Sequence, residues 1–192
     1  GVHYFADDPA EFVARKSLRV NISDIVAMGA TPATYLMALS LPNGIDHKWL
    51  QLFARGLQHD QDIYGIGLSG GDTVSTPGPL SISITMLGHI EVDKALQRST
   101  AKPGDDIWVS GTIGDAGVAL QVIKGNIRVD DLEAQKYLIE RFHLPEPRVA
   151  LGSGLVGIAH SAVDISDGLA ADLENVCSAS GLGAIVQGNS IP

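Results

Sequence analysis

The chain has 192 residues, 45% of them hydrophobic, enough to bury a core as one large domain or two small ones, which excludes a disordered tail or a collagen-like fibre. Its 13 basic and 22 acidic residues leave a formal charge of −9, which argues against a nucleic-acid groove or an anionic membrane surface; bound phosphates would have to be met by backbone amides or metal ions. The single cysteine, Cys177, cannot form an intramolecular disulfide, no run of about 20 apolar residues is present, and no stretch resembles a signal peptide, so a cytoplasmic setting is the default expectation.

Asp8-Pro9 followed by Glu11 predicts a helix start with the acid at the cap, and Leu18, Ile22, Ile25 and Val26 continue at helical spacing until Gly29. "ATYLMALSL" at 33–41 is a short apolar run ending at Pro42, predicting a buried strand, and ordinary helix formers predict a second helix over 46–64. "GIGLSGGDTVS" at 65–75 reads as a strand breaking into a glycine turn, and "PLSISITMLGHIE" at 79–91 alternates as a half-buried strand should. The polar stretch "DKALQRSTAKPGD" at 93–105 predicts a boundary between a first domain, 1–92, and a second, 93–192. From residue 106 the pattern predicts strand, glycine turn and helix, then a helix over about 131–142 and a proline-bounded one from Pro147. "SAVDISDGLAADLENVCSAS" repeats strand, turn and helix up to Gly181, with "GAIVQ" at 183–187 as a last strand. Strands and helices mix throughout, so the fold class is α/β of mixed α+β character, with no solenoid repeat.

Several acids interrupt apolar segments. Asp24 shares a helix face with Asn21, and a solvated helix side explains both adequately. In "GGDT" the glycines permit close backbone approach and Asp72 could hold a metal, although a tight turn with an Asx bond is the simpler reading. In "DISDG" a strand would put Asp164 and Ser166 on one face, and Asp167 would cap the following helix. Capping leaves Asp164, between Val163 and Ile165, unexplained, since an unpaired acid there would be desolvated. If the fold gathered these acids, an oxygen-lined magnesium site would suit an acidic protein handling phosphates, but spacing alone does not show that they meet. No Walker A pattern is present, the histidines have no zinc-ligand spacing, and Cys177 reads as structural. His3, beside Tyr4 and Phe5, could stack on an aromatic ring, and Arg98 and Lys102 could hold phosphates; simple packing and solvated linker charges are the bland readings.

In order, "GVHYF", "VNISDIVAMGATP", "ALSLP", "GGDT", "LQRSTAKPGDDIWVSGTIGDAG" and "DISDGLAADL" closely resemble the thiamine-monophosphate kinase family, in the superfamily of aminoimidazole ribonucleotide synthetase and selenophosphate synthetase. The resemblance covers nearly the whole chain. It implies a two-domain synthetase-like fold, an N-terminal sheet domain that dimerises followed by an incomplete C-terminal α/β domain. It implies direct transfer of the γ-phosphoryl of ATP to thiamine monophosphate with several Mg2+ ions. It also implies a homodimer with no nucleic-acid or membrane partner. Carried onto this sequence, it makes Asp24, Asp72, Asp164 and Asp167 magnesium ligands, Gly71, Arg98, Ser166 and Tyr64 contacts to ATP, and His3 a substrate contact.

The family's early "GDDCA" and "STD" acids and its late "GGEDYEL" segment have no counterpart here, and "GVHYF" is one residue longer than the usual "GVHF". With no initiator methionine, the chain reads as a kinase by descent, trimmed at both ends, with little or no activity of its own. The alternatives are another ATP-using member of the superfamily, acting on an aminoimidazole precursor, selenide or a carbamoyl group, or a nucleotide- and metal-binding module without catalysis.

Overall fold

The structure, a computed structural model, describes residues 3–192. It divides into two compact units. The first comprises the chain through Ile25, Thr31–His89 and His143–Pro147; the second comprises Val26–Ala30, Ile90–Phe142 and Arg148–Pro192.

Helix α1 (Ala10–Ala27) begins on Pro9, whose carbonyl accepts from the amides of Phe12 and Val13 at 2.8 and 3.1 Å. The predicted acid cap does not form: Asp8 turns backward, and its Oδ2 accepts from the Phe5 amide at 2.8 Å. Ala10, Ala14, Leu18, Ile22 and Val26 recur four apart and, with Val13 beside them, are all buried, a stripe that only a helix aligns. Gly29, in the left-handed region at φ 77°, closes the helix by donating to the Val26 carbonyl. Helix α2 (His47–Tyr64) forms where its helix formers predict it and is capped at both ends: Asp46 accepts from the Trp49 amide, and Gly65 takes the left-handed exit. It buries Phe53, Gly56, Leu57 and Asp60. A Cβ at Gly56 would lie 2.5 Å from the Glu11 carbonyl and 2.9 Å from the Ala14 Cβ, so α1 and α2 approach to a distance that no larger residue permits.

Strands β1 (Thr31–Pro42), β2 (Gly67–Thr76) and β3 (Ser81–His89) form one sheet in the order β2-β1-β3. β2 runs parallel to β1 through the α2 crossover, and β3 is antiparallel to β1. Tyr35 and Leu39 of β1 are buried, whereas Leu36 on the opposite face is 42% exposed. "GGDT" is not the predicted turn. Gly70, Gly71 and Asp72 stay in the ladder opposite Leu36, Met37 and Ala38, just after an irregularity at Tyr35/Leu36, and the chain turns only at 77–80. Pairing to a long central strand outweighs the turn preference of two glycines.

A polar cluster closes the first unit. His143 packs on Phe12 with ring centroids 5.3 Å apart, and its Nδ1 lies 3.8 Å from Asp8 Oδ1. Burial pushes the imidazole below its ordinary value of 6.5, against the pull of Asp8 and with the help of Lys16. The unfolded chain therefore binds the proton more readily than the folded one. The stability contributed by neutral His143 is present above about pH 6.5 and is lost as pH falls below it. Urea midpoints between pH 7.5 and 5.5 should fall in the native protein and flatten in His143→Gln; an unchanged slope in the variant would remove His143 from this account.

The second unit is helical: α3 (Asp115–Ile123), α4 (Leu132–His143, its last residue in the first unit), α5 (Val149–Gly154) and α6 (Leu169–Ser180). Asp131 Oδ1 caps α4 by accepting from the amides of Glu133 and Ala134 at 2.9 and 3.1 Å. Gly181 closes α6 in the left-handed region. The strands predicted at 106–110, 163–166 and 183–187 do not form among the described residues, where this unit pairs only Gln97 with Ser161. A strand-like pattern specifies pleat and face but not a neighbour, and an unpaired strand has no ladder to hold it. Trp108 and Ile185 are correspondingly 88% and 92% exposed. Among the described residues no helix is long and apolar enough to cross a membrane.

Candidate functional site

The candidate residues fall into two groups, one in each unit. In the second unit, the "DISDG" segment leads into α6 as an irregular loop rather than a strand. Gly168 occupies the N-cap at φ 121°, and Asp167 makes no capping bond. The acid that holds this turn is Asp172, from the first turn of α6. Asp172 is only 3% exposed, and its Oδ2 accepts from the backbone amides of Ser166, Asp167 and Gly168 at 2.9, 3.0 and 3.1 Å. The Asp167 and Ser166 side chains are left exposed, and Asp164 is half-buried with further polar contacts.

This satisfaction has a chemical consequence. A glycine turn opening a helix ordinarily offers free amides to an anion. Here those amides already serve a carboxylate, so the loop presents carboxylate and hydroxyl oxygens rather than N–H donors.

Arg98 opens a short 3-10 turn (Arg98–Thr100) in the stretch predicted as a linker, which is instead tied to the rest of its unit. The Arg98 carbonyl accepts from Ser180 Oγ at the end of α6 at 2.8 Å. The Gln97 carbonyl accepts from Ser161 Oγ at 2.7 Å, and Thr100 Oγ1 donates to the His160 carbonyl at 2.5 Å. His160 Nδ1 lies 2.8 Å from Asp105 Oδ1. The Lys102 amide and then His160 hold the Asp105 carboxyl below its ordinary range. The backbone carrying Arg98 is thereby fixed to the strand-like entry into "DISDG" and to the far end of α6, while the Arg98 side chain is exposed.

In the first unit, Asp72 lies on β2 opposite Ala38 of β1, which in turn faces Ser83 of β3. Its Oδ1 accepts from the Thr73 amide at 2.8 Å, and the side chain is exposed. Gly71 sits at φ 154° with its Cα against β1; a Cβ there would meet the Met37 carbonyl oxygen at 1.8 Å. Asp24 lies on the exposed side of α1 near its end and has polar contacts of its own. Asn21, its neighbour on that face, donates instead to the Ser17 carbonyl of its own helix at 2.8 Å. Tyr64, the last residue of α2, is half-buried with the Arg19 guanidinium 5.6 Å from its ring centroid, and burial pushes its phenol up. His3 is exposed, and the neighbouring Tyr4 hydroxyl donates to the Leu80 carbonyl at 2.8 Å, which ties this segment to the approach to β3.

Gly71 and Asp72 are adjacent in one strand, and Asp164, Ser166 and Asp167 share one loop. Within either unit alone, no three His, Cys, Asp or Glu side chains gather around a point among the described residues. The donor set is nonetheless consistent in kind. Asp24, Asp72, Asp164 and Asp167 offer hard carboxylate oxygens, Ser166 adds a hydroxyl, and no thiol or imidazole stands in either motif. That set fits Mg2+, which takes few carboxylates and leaves positions for water and phosphate.

Two features escaped the sequence reading. Asp172 has no role in the sequence reading; the clue is its place four residues after Gly168, since side chains tilt toward the helix N-terminus and one there reaches back over the preceding turn. Asp60 is the other: it is fully buried and accepts from Arg15 Nε at 3.0 Å, Arg19 Nε at 2.6 Å and a second Arg19 nitrogen at 3.1 Å. Nothing in the sequence around it signals a buried acid.

Residues 1–90 match the family described as AIR synthase related protein, N-terminal domain, and residues 102–192 match AIR synthase related protein, C-terminal domain. The chain is 44% identical over 193 residues to the thiamine-monophosphate kinase of Salmonella typhimurium, an alignment covering 100% of this chain and 58% of that relative. It spans, therefore, little more than half the length of that curated relative. The crystal structure of thiamine-monophosphate kinase from Stenotrophomonas maltophilia K279a superposes with a TM-score of 0.86 at 44% identity, covering 94% of this chain and 58% of that one. AaThiL complexed with AMPPCP and TMP superposes with the same TM-score at 29% identity, over 94% of this chain and 57% of that one.

Proposed function

Since the chain belongs to the AIR synthase related family, with both its N- and C-terminal domains matched, we propose that it is the ATP- and metal-binding part of a thiamine-monophosphate kinase. The reaction is transfer of the γ-phosphoryl of ATP to the phosphate of thiamine monophosphate, giving thiamine diphosphate. The observation that carries the metal-dependent reading is the occupied turn at Ser166–Gly168. With the amides of Ser166, Asp167 and Gly168 committed to Asp172, the "DISDG" loop meets a polyphosphate chiefly with carboxylates, the Ser166 hydroxyl aside, and cations are needed to offset that repulsion. The acceptor identity is supported by the relatives' names and by the AMPPCP and TMP complex of a chain with the same fold.

In this reading Asp24, Asp72, Asp164 and Asp167 would hold Mg2+, which when bound neutralises phosphate charge and aligns the reacting oxygens. Gly71 lets the backbone beside Asp72 lie close to β1 without a side chain. Arg98, on a backbone fixed by Ser180, supplies a permanent cation to the polyphosphate. Ser166 donates its hydroxyl, His3 and Tyr64 bound the substrate and nucleotide, and none of these groups moves a proton, because in-line transfer to a phosphate oxygen needs none. The two domains divide at 92/93, the protein works in the cytoplasm, and a homodimer forms through the sheet domain; neither nucleic acid nor membrane is a partner.

The test is calorimetric and catalytic. Asp164→Asn should weaken Mg-ATP binding about tenfold or more while shifting the melting temperature little, because a lost ligand affects the metal more than the fold. Chelation with EDTA should abolish ATP binding by the native chain. ATP binding that survives EDTA would sink the metal reading. The acceptor is tested in the longest protein that carries this sequence: thiamine diphosphate should form from thiamine monophosphate and Mg-ATP, and turnover with an aminoimidazole ribonucleotide precursor or selenide instead would assign another branch of the family.

A further inference from the structure

We infer that Asp172 is the positioning residue of the candidate metal-binding loop, acting through the backbone of residues 166–168 rather than on a ligand; this deepens the metal reading above and rests on it. Three amides converge on a single carboxylate oxygen at 2.9, 3.0 and 3.1 Å, and the side chain that accepts them is 3% exposed. Three bonds to three consecutive amides determine the path of the turn. The Ser166 and Asp167 side chains are exposed, and the bonds from Asp172 go to their backbone amides, so Asp172 sets the direction of these side chains through the backbone.

The position of Asp172 explains why an acid is tolerated in the interior. It stands in the first turn of α6, where the helix dipole favours negative charge, and charge-assisted bonds from backbone amides replace the water it has lost. Asparagine at the same place would keep one acceptor oxygen but put an amide group where the second oxygen was and remove the charge. The turn would then lose part of its hold, and the ligands it carries would spread over several directions. Outer partners of metal ligands typically govern affinity by about 10- to 100-fold.

The experiment uses the whole chain, with Mn2+ as a paramagnetic stand-in for Mg2+ and amide hydrogen exchange read at residues 166–168. Asp172→Asn should weaken Mn2+ binding about 10- to 100-fold and speed exchange at those three amides, although the Asp172 oxygen is engaged by backbone amides. Asp167→Asn should weaken Mn2+ binding with no change in exchange. If Asp167→Asn and Asp164→Asn both leave Mn2+ affinity untouched, the metal reading fails and this proposal falls with it. If they lower it while folded Asp172→Asn does not, only the positioning role is overturned. Should Asp172→Asn fail to fold, exchange in the native chain decides: protection at Ser166, Asp167 and Gly168 supports the role, and exchange at unprotected rates removes it.

Discussion

Asp60→Ala should destabilise the chain by about 3–5 kcal/mol, the cost of leaving a buried charge without its partner. Asp60 is fully buried between helices α1 and α2, with the side chains of Arg15 and Arg19 only 12% and 10% exposed. Arg19 also donates to the Pro145 carbonyl at 3.2 Å, which ties the His143–Pro147 segment into the same network. Burial is the largest influence on Arg19 and opposes its charge, but the hydrogen bonds to Asp60 together with the attraction of Asp60, Tyr64 and Glu146 outweigh it and hold the guanidinium above its ordinary value. Removing the carboxylate leaves two guanidinium groups facing one another with no anion between them. Asp60→Asn should cost less, because the amide oxygen still accepts one bond. The check is urea unfolding with an unchanged slope, so that the midpoint reports stability alone. A loss below about 1 kcal/mol for the alanine variant would show that water reaches the arginines and that the network contributes little.

Gly71→Ala is the second large effect expected, about 2–5 kcal/mol, combining an unfavourable backbone region with a clash in a packed ladder. The added Cβ would meet the Met37 carbonyl oxygen at 1.8 Å, a backbone atom of the central strand that cannot step aside without breaking β1–β2 pairing. Gly67 is the internal control. It lies in the same strand, with no atom within 4 Å of its virtual Cβ and no positive φ, so Gly67→Ala should fall within about 1 kcal/mol of the native chain. Equal effects at the two positions would mean that the close approach at Gly71 relaxes in solution. In the proposed function the same substitution would displace Asp72, so its Mg-ATP affinity should fall more than that of Gly67→Ala.

The helices were the most legible part of the fold. Asp46 and Gly65 around α2, and Gly181 after α6, are local devices, written within a few residues of the ends they make. β1 was legible too, as a continuous apolar run. The "GGDT" turn was misread because glycine's turn preference is visible locally, whereas the pairing of Gly70 and Gly71 with Leu36 and Met37 is supplied by residues more than thirty positions away. The unformed strands at 106–110 and 183–187 illustrate the converse: their short apolar runs are local, but a ladder needs a second segment.

For the candidate site, the sequence named the acids and the motifs, and the family resemblance assigned their roles. It did not show what holds them. Asp172 and Ser180 act on the backbone of other residues, and such bonds leave no trace in residue type.

What the sequence determined by itself is what short-range physics can encode: the mixed α/β class, helix ends, the buried stripe of α1, and an oxygen-only donor set suited to a hard cation. What only the tertiary structure decided is partnership: that Asp60 is an interior anion between two arginines, that "GGDT" belongs to a strand, and that the amides of Ser166–Gly168 are spent on Asp172 instead of being left for phosphate. The physical reason is the same in each case. A buried polar group takes its meaning from the atom it meets, and that atom is brought to it by the packing of the chain.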